Sequence, residues 1–193
     1  MIFLILGPVL NLAATFFWQD GRQGATSGAL SGLGIALWLI GLLSLYDGLR
    51  PRSPRFVAAA VPLTVLGAAG GVAFSVQSIH EEMFGVTHAA TVDRLTDFPL
   101  AANTLFWLCG PLFPMMMVAL GIMLIRLRTA PAAIGVLLIL GGLAFPLSRI
   151  TRETLIVHLA DLLLCLPFLY LAVRPPRPAA PETASTARSS SRA

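Results

Sequence analysis

Apolar residues run along this chain in six long stretches, broken by short polar segments. The stretches lie near 2–18, 29–46, 56–79, 101–127, 131–147 and 154–173. A helix that crosses the ~30 Å hydrocarbon core of a bilayer needs about 20 mostly apolar residues. The pattern therefore predicts an all-α integral membrane protein: residues 1–174 as one bundle of about six transmembrane helices. The first and fifth stretches are short and are expected to span with little tilt. The opening run MIFLILGPVLNLAATFFW has no basic lead and no small-x-small cleavage pattern before Gln19, so it reads as a retained helix rather than a signal peptide. From Pro175 to Ala193 the chain is Pro, Ala, Ser, Thr and Arg without apolar periodicity, which predicts a disordered tail.

The polar breaks set an orientation. Arg50, Arg52 and Arg55 follow the second stretch, Arg126 and Arg128 follow the fourth, and Arg174, Arg177, Arg188 and Arg192 follow the sixth. The intervening breaks are mixed or acidic: Asp20 and Arg22; then Glu81, Glu82, Asp93, Arg94 and Asp97; then Arg149, Arg152 and Glu153. Positive charge is retained on the cytoplasmic side. Both the N-terminus and the C-terminus are thus expected in the cytoplasm, and the location is expected to be the cell inner (plasma) membrane, multi-pass. Phe17, Trp18, Tyr46 and Tyr170 fall at interface depth, where amphipathic rings gather.

Composition agrees. Hydrophobic residues make up 56% and charged ones 11%, against about a quarter charged in soluble domains. Every basic side chain is Arg. Without Lys there is no Schiff-base site and no P-loop. The arginines form no basic face, so nucleic acid is not an expected partner. The partner implied is the lipid bilayer; the small residues at helix spacing (Gly28 and Gly32, Gly67 and Gly71), with Gly141 and Gly142 in the fifth stretch, read as close packing within the bundle or as a face for further copies or a larger membrane complex. Cys109 and Cys165 lie in apolar runs and read as small buried hydrophobes. Pro111 and Pro114 should kink the fourth helix.

The sixth stretch carries the chemistry. Thr154, His158, Asp161 and Cys165 are spaced four, three and four apart and share one helical face. Asp161 lies about seven residues into the helix, ~10 Å deep. An ionised Asp there costs about 3 kcal/mol on insertion scales. It needs a partner, water or a proton. His158, Arg149 and Arg152 are the nearest candidates, with Glu153 beside them. The end of the third stretch adds His80, Glu81, Glu82 and His88 on the same outer side, and a short amphipathic helix is expected within 87–97. Asn11 and Asn103 offer further polar atoms.

Four readings follow. An outward-facing polar pocket of Asp161, His158, Arg149, Arg152, Glu153, His80 and Glu81 would bind or move a small solute or a proton. A transition metal would use His80, His88 and His158 with a carboxylate such as Glu81 or Asp161, and a haem would use His80 and His158 as axial ligands. A purely structural role would make the Arg-Glu-His-Asp cluster a packing ion-pair network of an accessory subunit, with Asp161 touching Arg149 or Arg152 directly. An intramembrane hydrolase has the least behind it. Glu81-Glu82 resembles the paired glutamates of membrane-embedded prenyl proteases, pattern E-E-x-x-x-R, but Val86 stands where that pattern needs Arg. No G-x-S-x-G or H-E-x-x-H is present. The missing motifs count against an enzyme without deciding the question, and the sequence names neither ligand nor cofactor.

Overall fold

The computed structural model describes residues 1–19 and 21–174. The expected disordered tail, 175–193, and Asp20 lie outside the described residues. Seven helices follow in order: α1 (Phe3–Thr15), α2 (Gly24–Leu49), α3 (Pro54–Met83), α4 (His88–Leu95), α5 (Pro99–Leu127), α6 (Ala132–Thr151) and α7 (Thr154–Val173). Among the described residues there is no strand, only an isolated bridge between Gln19 and Arg22. Five helices, α2, α3, α5, α6 and α7, are long and apolar enough to cross a membrane. The first apolar stretch does not join them. α1 has 13 helical residues, ~20 Å at 1.5 Å per residue, and unwinds into a turn at Phe16 and Phe17.

Each apolar helix packs on its chain neighbour, α1 on α2, α2 on α3, α3 on α5, α5 on α6 and α6 on α7, and α7 returns to α1. The six form a closed ring. Its centre is filled: Trp38 of α2 meets Phe113 of α5 edge-on at 5.3 Å and Phe168 of α7 edge-on at 5.0 Å. Such perpendicular ring pairs place a positive edge on a negative face. α3 and α5 approach closely, since a side chain at Gly67 or Gly70 would collide with the backbone of Phe113 or Gly110. Small residues allow this spacing.

Three boundaries depart from the sequence reading. α2 begins at Gly24, because Glu82 of α3 accepts a hydrogen bond from the Ala25 N–H at its first turn. α3 runs on to Met83, taking His80, Glu81 and Glu82 out of the loop and into the helix. α6 continues to Thr151, so Arg149 sits in its last turn. In each case a partner for the charge removes the reason for the helix to end. Within α5, residues Ala102–Cys109 adopt π-helical pairing just ahead of Pro111. A wider register is one way for a helix to absorb prolines that cannot donate an i→i−4 bond. Tyr46, near the end of α2, packs into the core. It is fully buried, with its hydroxyl 3.0 Å from that of Thr64.

Candidate functional site at one end of the bundle

The α6–α7 connection turns tightly at Arg152 and Glu153, with Arg152 in the left-handed region at φ 56°. This turn sets the last turn of α6 against the first two turns of α7. Arg149 thereby reaches Asp161, the only carboxylate within α7. Arg149 Nη2 donates to both carboxylate oxygens, at 3.2 Å each. Asp161 is 2% exposed. Because one nitrogen serves both oxygens, the geometry is not the parallel fork that gives Arg–carboxylate pairs their full strength. Arg149 Nη1 is left buried and without a partner.

Aromatic rings wrap this pair. The Arg149 guanidinium lies 4.5 Å from the Phe145 ring centre and 5.2 Å from that of Trp18. Both distances fall within cation–π range. His158, one turn before Asp161 on α7, stacks at 4.5 Å on Phe16. Phe16 and Trp18 come from the turn that follows α1, which the ring closure brings against α7. The Trp18 indole Nε1 and the His158 Nε2 are also buried without a hydrogen-bond partner. Three buried nitrogens without partners thus belong to the pair's own Arg149, to His158 one turn before Asp161, and to Trp18, whose ring packs on Arg149. Of the stripe read from the sequence, Asp161 and Cys165 are buried, His158 is half-buried and Thr154 is exposed.

The other expected members lie elsewhere. Arg152 does not touch Asp161. Its Nη1 reaches the Gly21 carbonyl at 3.4 Å. Burial lowers its guanidinium from the ordinary value; the Glu81 carboxylate opposes this and the Arg149 charge adds to it. Arg152 therefore stands electrostatically between two clusters. Glu153 is exposed and takes no part in the pair. Asn103 is exposed, and Asn11 is buried between α1 and Gly34 of α2.

The second cluster lies at the C-terminal end of α3. Glu81 Oε1 accepts from Gln77 Nε2 at 2.8 Å and meets His88 Nδ1 at 2.9 Å, fastening α4 to α3. Thr87 caps α4 by accepting from the Ala90 N–H. Ser78 donates to Gln23 at 2.9 Å, and Gln23 donates to Ser31 at 3.3 Å. Gln23, Ser31 and Ser78 were not read from the sequence, since short polar residues near helix ends carry no distinguishing pattern. Glu82 reads as plain loop charge in the sequence, yet its carboxylate caps the positive end of α2. His80 is exposed against Phe84 and, with Gln77 and Glu81, lines an open groove of about 550 Å³ between α3, α4 and α5. Arg149, His158 and Asp161 do not line it. Among the described residues no three His, Cys, Asp or Glu side chains stand close enough to share a metal ion, so a ligand set of His80, His88 and His158 is not assembled.

No protein-family model matches the chain, no curated protein is significantly similar to it, and no solved structure matches its fold.

Proposed function

We propose that this is a six-span protein of the cell inner membrane, with both termini in the cytoplasm, whose outer site binds a small acceptor-bearing solute such as a carboxylate. The arginine-rich ends of α2, α5 and α7 support the orientation. Closure of the ring by α1 supports counting it as the sixth span, with Phe16–Trp18 completing its reach. One observation carries the binding reading: the buried donors Arg149 Nη1 and Trp18 Nε1 have no acceptor, and the buried His158 Nε2 has no hydrogen-bond partner in either role. Buried polar groups are satisfied in nearly all native proteins, and leaving one unsatisfied costs about 1–3 kcal/mol. A solute oxygen would serve several at once. The aromatic plug at Trp38 supports binding over conduction, because it fills the axis a pore would follow.

The direct Arg149–Asp161 contact favours a second reading, a clamp that holds α6 to α7 and does nothing else. Thermal unfolding of purified protein with acetate, lactate and inorganic phosphate separates the two. On the binding reading at least one solute raises the melting temperature of the wild type and fails to do so in His158→Ala. If every solute leaves both proteins unmoved, the clamp alone stands.

A further inference from the structure

At the opposite end of the bundle, three arginines from three separate segments line one cleft of about 730 Å³. Arg52 comes from the α2–α3 loop, Arg128 from the α5–α6 loop and Arg174 from the end of α7. Tyr170 and Thr129 complete the polar part of its wall, and among the described residues no acidic side chain lines it. Arg128 adopts the left-handed conformation at φ 50°, at the position after a helix that glycine usually takes. The Arg174 guanidinium lies 5.9 Å from the Tyr170 ring. The Thr129 hydroxyl oxygen is buried and has no hydrogen-bond partner.

We infer that this cleft binds a phosphate-bearing anion through Arg128, Arg174 and the Thr129 hydroxyl. A positive-inside loop accounts for arginines anywhere along the cytoplasmic face. It does not account for their convergence on one concavity, nor for an orphaned hydroxyl in the wall. Guanidinium forks match phosphate oxygens, and a hydroxyl donates to a further one. The cleft opens at the ends of α5 and α7, the depth at which lipid headgroups lie when these helices span. A phospholipid phosphate and a free phosphate share this chemistry.

The test is thermal unfolding of the full chain in detergent, with added phosphatidylglycerol, phosphatidylcholine or inorganic phosphate. Phosphatidylglycerol should raise the melting temperature by about 5 °C near saturation. Arg126→Gln, which removes an inner arginine outside the cleft, should respond like wild type. Arg128→Gln/Arg174→Gln should lose the response. A shift with inorganic phosphate alone, lost in the same double variant, keeps the phosphate site and assigns it to a soluble anion. Equal shifts with phosphatidylcholine, an undiminished shift in the double variant, or no shift with any probe overturns the inference. Should the double variant not fold, Thr129→Val decides: a reduced shift is expected, and an undiminished one overturns it.

Discussion

At the scale of single residues, the Arg149–Asp161 pair is the costliest feature of the bundle and the one most open to test. Removing one partner of a buried ion pair leaves an uncompensated charge, a loss of about 3–5 kcal/mol in soluble cores, while polar couplings between membrane helices average nearer ~0.6 kcal/mol. The one-nitrogen geometry and the 24% exposure of the Arg149 side chain place this pair between those limits. Asp161→Asn is expected to destabilise by about 2 kcal/mol, and Arg149→Met/Asp161→Leu to recover most of that loss. A double-mutant cycle from chemical denaturation measures both. This pair was half-legible in the sequence. The spacing of His158, Asp161 and Cys165 gave their shared face, and the charge of Asp161 demanded a partner, but not which arginine it would be. Arg149 and Arg152 differ by three residues; only the turn at φ 56° decides that the first points to Asp161 and the second to Gly21. Trp18 and Phe16 were out of reach, because nothing local tells which helix the first one packs against.

Elements show the same division between local and non-local information. Apolar length marked the helices, since lipid demands it in every one. Their ends were misjudged wherever a distant side chain supplied a cap. Glu82 is 57 residues from the N–H it caps in α2. Glu82→Ala is expected to remove about 1 kcal/mol from the first turn of α2. Hydrogen exchange at Ala25, Thr26 and Ser27 should accelerate accordingly, with the middle of α2 unchanged. The π-paired stretch of α5 was likewise not legible. Pro111 and Pro114 announced a disturbance, but a kink and a change of register satisfy the same missing donors.

For the whole molecule, the sequence supplied a class, a helical membrane bundle, and not its closed ring or the aromatic centre built by Trp38, Phe113 and Phe168. Those residues lie on three helices and meet only through the order of packing. The orientation can be tested directly. In a background of Cys109→Ala and Cys165→Ala, Asp93→Cys should react with a membrane-impermeant thiol reagent added to intact cells. Arg55→Cys should react only after permeabilisation. The reverse result would invert the bundle and place the Arg149 site on the cytoplasmic side. The central claim, that this site receives an acceptor, is tested most directly at the Trp18 indole. Its ¹⁵N–H resonance, assigned by its loss in Trp18→Phe, is followed while acetate, lactate or inorganic phosphate is titrated into the purified protein. A saturable shift that disappears in His158→Ala is the expected result. A resonance that stays fixed with all three solutes would contradict the account and leave Arg149 and Asp161 as a helix clamp.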